Sequence, residues 1–185
     1  MGQDLTGSEA GAGAGAGTGR PEAGKAEGLG AQFEQLLGQM QALRQPGGCS
    51  WTGAQNHRSI MHYLLEETYE VLEALEGEGG VDLPLLKEEL GDLLLNLIFH
   101  ATLAAEVPAD QGGFSMQDVI QGLSEKLIRR NPHVFGPQSP AGQQLSAEAI
   151  AEAWTELKKA EKPERKSPFD GLPKALPALA LAAKV

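Results

Sequence analysis

A length of 185 residues suits one ordinary domain, and the roughly 150 residues beyond the first thirty are ample for a core. The single cysteine, Cys49, excludes an internal disulfide framework and any zinc site made from several thiolates. The formal net charge of −10 argues against broad electrostatic binding to nucleic acid, which needs basic patches, but leaves small anionic substrates open because divalent cations bridge carboxylates to phosphates.

Residues 1–30 are rich in Gly and Ala and almost free of large apolar side chains. Such a segment cannot bury enough surface to offset its ordering entropy, so a disordered tail is expected. Its GAGAGAG run is not followed by GxxxxGK[ST], which rules out a phosphate-binding P-loop there. It also lacks the apolar stretch of a signal peptide, and no run in the chain is long enough to span a bilayer; a soluble, cytoplasmic protein without membrane contact is expected. From residue 31 onward helical periodicity dominates and no alternating strand pattern appears, so the expected class is all-α.

The first helix is expected at 31–44, with Phe33, Leu36, Leu37, Met40 and Leu43 as its apolar stripe and Pro46-Gly47-Gly48 as its stop. A loop carrying Cys49, Trp51 and Gly53 leads to a second helix at about 57–76, broken by Gly77, Gly79 and Gly80. Asp82 reads as the N-cap of a third helix that tolerates Pro84 in its first turn and stops before Pro108. Ser115 opens a fourth helix at about 116–130, residues 131–144 read as a loop, and Ser146 opens a fifth, ending near Lys162. The last stretch, 166–185, holds Pro168, Pro173 and Pro177 and reads as an arm or linker, leaving 31–165 as the folded domain.

The chemistry is carried by the second and third helices. On a helical wheel Ile60, Leu64, Val71 and Leu75 fall within roughly 60° of one another, and Glu67 sits in the middle of that stripe, Glu70 at its edge, and Glu66 further round. The third helix is apolar almost all round, the pattern of a buried helix, yet Glu89, Asp92, Asn96 and His100 follow one another at i, i+3, i+7 and i+11 as a polar stripe. A short connection makes the two helices face each other, which brings the pairs Glu67/Glu70 and Glu89/Asp92 together. Two unit charges 4 Å apart repel by about 4 kcal/mol at an effective dielectric near 20, so protons or cations must neutralise such a cluster. An all-oxygen donor set favours Mg²⁺, Mn²⁺ or Ca²⁺ over zinc or copper. The competing reading, two solvated Glu-rich helix faces, does not explain why the carboxylates interrupt apolar stripes. His57, His62, His100 and His133 have no zinc-like spacing; His100 reads as a satisfied polar group ending the stripe, and Cys49 as structural.

The segments LLEETYEVLEAL (64–75) and KEELGDLLLNLIFHA (87–101) resemble the paired EExxE and ExxD motifs of the MazG family of nucleoside triphosphate pyrophosphohydrolases. PGGCSWTGAQNHRSI (46–60), LSEKLIRRNPHVFG (123–136), AWTELKKAEK (153–162) and DGLPKALPALALAAKV (170–185) resemble, in order, further segments of that family. The resemblance implies a MazG-like bundle of about five helices, dimeric around a four-helix core, and Mg²⁺-dependent cleavage of nucleoside triphosphates to monophosphate and pyrophosphate, with Mn²⁺ as a substitute. Carried over by position, Glu67, Glu70, Glu89 and Asp92 are the implied metal ligands. Glu66 is implied as a further ligand or as the base for the attacking water, with Glu67 and Glu70 beside it in the catalytic set. Lys126 and Arg130 are implied phosphate contacts, and Trp154 and Lys158 implied nucleotide contacts, against an ordinary solvated face. Ser50 stands where the family usually has proline and Asn131 where it often has histidine; neither change removes a carboxylate. The resemblance leaves open a one-domain member or one copy of a tandem pair, and a modified-nucleotide or dUTPase-like sanitiser or a non-catalytic binding module instead of a general pyrophosphohydrolase.

Overall fold

The computed structural model describes residues 28–136, 146–164, 170 and 172, so the expected tail and the expected C-terminal arm lie almost wholly outside the described residues. Within them the chain forms seven α-helices and one 3₁₀ turn: α1 (Leu29–Arg44), α2 (Ser50–Ala54), α3 (Met61–Leu75), α4 (Leu83–Ala105), the 3₁₀ turn (Ala109–Gln111), α5 (Met116–Arg130), α6 (Pro132–Phe135) and α7 (Ala147–Glu161). The all-α class stands. The count of about five helices does not, because α2 and α6 were expected as loop. Each is only five and four residues long, too short to display the 3.6-residue periodicity by which a helix is read.

The chain divides after Met116 into two compact units. In the first, α3 and α4 form an αα-hairpin, the most extensive helix pairing among the described residues, with α1 packed against α4 and α2. The connection is tight: Gly80 N–H donates to the Gly77 carbonyl at 2.9 Å, and Gly80 takes φ +96°, a left-handed conformation that a side chain would strain. Asp82 then caps α4 by accepting from Leu85 N–H at 3.1 Å, and Pro84 occupies the first turn, where its missing N–H costs nothing. Helix α3 starts four residues later than expected. Residues 57–60 instead form a turn held by Asn56, whose side-chain oxygen accepts from Arg58 N–H and Ser59 N–H.

The core of this unit is Met40, Ile60, Ile98, Phe99 and Leu103, with Phe33, Leu36, Leu37 and Tyr63 packed against it. It therefore gathers at the start of α3 and the second half of α4, where α1 covers the hairpin. The α1 stripe turns inward as its periodicity requires, with Met40 buried and Phe33, Leu36 and Leu37 half-buried, except that Leu43 is exposed. Helix α4 departs from expectation in one respect: it is not buried all round. Its polar stripe turns inward, with Glu89 and Asn96 buried, while Leu90 and Leu97 are about half exposed (50% and 51%). A second polar link joins the loop before α3 to α4: His57 and His100 stack in parallel, their Nδ1 atoms 2.8 Å apart, and His100 Nε2 is buried without a partner. His100 is thus not the fully satisfied group expected.

The second unit carries most of α5, with α6 and α7. Ser146 caps α7 by accepting from Ala149 N–H. Glu161 near the end of α7 takes Arg129 Nε at 2.7 Å and Arg130 Nη2 at 2.5 Å, tying α5 to α7.

Ile98 is fully buried and Leu97 beside it is not, so they are the sharpest test of the core. Ile98→Ala is expected to lower unfolding free energy by about 2–5 kcal/mol, measured by urea denaturation at a single protein concentration with circular dichroism. A loss below about 1 kcal/mol would place the core elsewhere.

Candidate metal centre

The hairpin positions the carboxylates. Glu67 lies about as far before the α3–α4 turn as Glu89 and Asp92 lie after it, so antiparallel packing sets them opposite one another. One carboxylate oxygen from each of Glu67, Glu89 and Asp92 lies within 4.8 Å of the other two. Glu89 is 8% exposed and Glu67 and Asp92 are half-buried. Glu70, one turn beyond Glu67, sets its exposed carboxyl against both Glu67 and Glu89. Four of the five carboxylates in the two motifs therefore meet at one place. Glu66, by contrast, is exposed and outside the group of three.

The electrostatics follow from desolvation and crowding. Burial, then the neighbouring Glu70, Asp92 and Glu89 charges, push the Glu67 carboxyl up to about 7. Burial likewise raises Glu89, with Glu70 the largest charged contributor. No lysine or arginine is ion-paired to this cluster among the described residues. Carboxylates held partly out of water with only each other for company are a donor set that fits a hard divalent cation, which would supply the missing positive charge. Asn96, one turn along α4, donates from its side-chain nitrogen to the Asp92 backbone carbonyl at 3.0 Å. That bond fixes the Asn96 amide beside the cluster.

Glu67 also reaches a cavity of about 310 Å³. Its walls are mostly apolar: Met40 from α1, Trp51 and Thr52 from α2, Tyr63 from α3, and Asn96 and Phe99 from α4. Trp51 and Tyr63 meet edge to face, their ring centres 6.2 Å apart. An acidic, cation-ready end thus opens onto an aromatic chamber with few polar groups, the form of a pocket for a small molecule with a charged end and a flat one.

The four positions implied as substrate contacts gather within the second unit. Lys126, Arg130 and Lys158, with Arg129 and Lys162, surround one open pocket. Arg130 and Lys158 lie over the Trp154 ring, at 5.6 and 4.6 Å from its centre. Arg130 is not a free cation, however. Glu161 accepts from its Nε at 3.0 Å and its Nη2 at 2.5 Å, and Arg130 with Arg129 holds the Glu161 carboxyl down to about 2. Sequence reading missed Glu161. The signal was an acid in the last turn of a helix, where the macrodipole disfavours it unless a specific cation compensates.

Comparison with known proteins agrees with this arrangement. Residues 55–135, which contain all four converging carboxylates, match the family model of the MazG nucleotide pyrophosphohydrolase domain. The chain is 41% identical over 157 residues to the nucleoside triphosphate pyrophosphohydrolase/pyrophosphatase MazG of Thermotoga maritima, covering 84% of this chain and 56% of that protein. It is 41% identical over 157 residues to the nucleoside triphosphate pyrophosphohydrolase of Escherichia coli (83% and 56%) and 42% identical over 156 residues to that of Mycobacterium tuberculosis (84% and 44%). The chain spans about half the length of these relatives. Among solved structures, it is similar to a mazG-related protein from Thermotoga maritima, with a TM-score of 0.52 at 26% identity, covering 69% of this chain and 97% of that one. By its domain, its fold and its paired carboxylate helices, this chain belongs to the MazG nucleotide pyrophosphohydrolase family.

Proposed function

We propose that the chain hydrolyses nucleoside triphosphates to nucleoside monophosphates and pyrophosphate in a Mg²⁺-dependent reaction, with Mn²⁺ able to substitute, as part of clearing the nucleotide pool. The observation that carries this reading is the convergence of Glu67, Glu89 and Asp92 within 4.8 Å, with Glu70 against Glu67, beside a largely apolar cavity that Glu67 lines. The names of the relatives support the substrate class.

In this reading Glu67, Glu70, Glu89 and Asp92 hold the cation. When bound, Mg²⁺ would offset the triphosphate charge and lower the pKa of a coordinated water. Glu66, exposed and next to Glu67 in the chain, would be either a further ligand or the group that accepts the proton of the attacking water. The cavity walls, Trp51, Tyr63 and Phe99 among them, would take the flat nucleoside end and keep bulk water from it. Lys126, Arg130, Trp154 and Lys158 would contact the nucleotide, with Arg130 sharing its charge between phosphate and Glu161. Cleavage at the α-phosphorus gives pyrophosphate as the leaving group, whose growing charge cationic side chains would stabilise.

We infer in addition that the chain works as a homodimer in the cytoplasm, with a four-helix core made from α3 and α4 of two copies. The support is the set of large apolar side chains these helices leave exposed, including Leu65, Tyr69, Leu72, Leu90 and Leu97. Among the described residues no helix is long and apolar enough to cross a membrane. Light scattering is expected to give twice the chain mass, and Leu97→Glu to halve it. A monomer before substitution would contradict the dimer.

Two experiments test the site. Asp92→Ala is expected to lower kcat by at least about a hundredfold while helical content by circular dichroism is retained; unchanged release of pyrophosphate from mixed nucleoside triphosphates sinks the assignment. The same panel, run with canonical, deoxy and oxidised nucleotides, separates a general enzyme from a dUTPase-like or modified-nucleotide sanitiser, and no turnover at all points to a binding module.

The second experiment uses pH. Because Glu67 rises from 4.5 to about 7 on folding, the native state binds the extra proton. Its contribution to stability is fully present below about pH 4.5 and is lost as pH climbs through 7. In chelator the melting temperature is therefore expected to fall across that window, and Mg²⁺ to abolish the fall. Burial lowers the His100 pKa and acts in the opposite sense below about pH 6.5. Glu67→Gln is the control: it is expected to be more stable than the parent above pH 7 in chelator. A parent whose stability has the same pH profile as Glu67→Gln would contradict the reading.

A further inference from the structure

Arg44 lies outside the carboxylate cluster, yet its side chain is 7% exposed and joins three elements of the first unit. Its Nε and Nη2 form a fork on Glu106, at 2.5 and 2.9 Å from the two carboxylate oxygens, just past the end of α4. Its Nη1 donates to the Thr52 carbonyl at 2.6 Å and the Gln55 carbonyl at 3.3 Å. Those carbonyls lie at the C-terminal end of α2, where helix oxygens are short of backbone partners; the Thr52 carbonyl accepts in addition from Gln55 N–H at 3.2 Å. The guanidinium also sits over the Phe99 ring, 5.5 Å from its centre.

The consequence lies in what α2 carries. A helix of five residues has almost no stability of its own, so its position depends on what holds it. Trp51 and Thr52 of α2 form one wall of the cavity beside Glu67, while Phe99 forms another and Met40 and Leu43, from the last turns of α1, a third. Arg44 is bonded to the first wall, stacked on the second and covalently part of the third.

We propose that Arg44, clamped by Glu106, is a positioning residue that fixes α2 against α4 and so sets the shape, and with it the nucleoside selectivity, of the cavity next to the metal centre. The proposal rests on the hydrolase reading above for its kinetic consequence, but not for its structural one. Lysine cannot replace the arginine fully, because an ammonium is a point charge and cannot span Glu106 and two carbonyls in one plane.

The test is Arg44→Met, which keeps an apolar stem over Phe99 and removes every donor, with Arg44→Lys as the partial rescue. Hydrogen exchange in the peptide spanning 50–56 is expected to quicken about tenfold in Arg44→Met and less in Arg44→Lys. KM for nucleoside triphosphates is expected to rise about tenfold, kcat to stay within about threefold, and the ratio of kcat/KM between purine and pyrimidine substrates to change. A merely structural lesion would lower the active fraction, hence kcat, equally for all substrates. Should Arg44→Met fail to fold by circular dichroism, Glu106→Gln leaves the carbonyl bonds in place and is expected to shift exchange and KM in the same directions by less. Unchanged exchange at 50–56, or a loss confined to kcat with unaltered selectivity, overturns the proposal. A parent protein inactive on every nucleoside triphosphate with Mg²⁺ counts instead against the hydrolase reading, and the exchange experiment still decides whether Arg44 holds α2.

Discussion

The repulsion between like charges across the α3–α4 hairpin is the constraint from which most of the first unit follows. Two helices that pack through carboxylates cannot be held together by that face. The apolar contacts are accordingly displaced to one end of the hairpin, where Ile60 opens α3, Ile98, Phe99 and Leu103 lie in the second half of α4, and α1 brings Met40. At the other end a capped helix start at Asp82 and a tight glycine turn hold the connection. Between the two, the facing acids are left for a cation. The hairpin thus carries an electrostatically strained centre, and a cation bound there would relieve a strain that folding creates.

The second unit meets its own charge problem differently. Arg129 and Arg130 converge with Lys126, Lys158 and Lys162, and one acid, Glu161, is held between the two arginines. The aromatic ring of Trp154 offers its negative face to Arg130 and Lys158. Acidic side chains gather in one unit and cationic side chains in the other. The formal charge of the whole chain, −10, conceals that separation.

What could be read from sequence was whatever repeats along a helix. Most of the α1 stripe, the span of α4, its Asp82 cap, the Ser146 cap of α7 and the meeting of Glu67, Glu70, Glu89 and Asp92 all rest on a period or a cap residue, and the structure has them where the pattern put them. What could not be read was short or non-local. Helices α2 and α6 are less than two turns long, and the turn at 57–60 is set by one asparagine side chain. Arg44 at the end of α1 looks like an ordinary dipole-favoured base; nothing nearby in sequence announces Glu106, 62 residues away. The exposed leucines of α4 illustrate a different limit. Periodicity tells which residues share a face, whereas which face is buried depends on partners, and Leu90 and Leu97 face outward in the single chain.

The account stands on a divalent cation held between α3 and α4. The direct measurement is a crystal structure of the full chain with Mn²⁺, with the metal located by its anomalous scattering. The account predicts a peak bounded by carboxylate oxygens of Glu67, Glu89 and Asp92, within Glu70's reach. Anomalous density elsewhere on the protein with none among these carboxylates would contradict it.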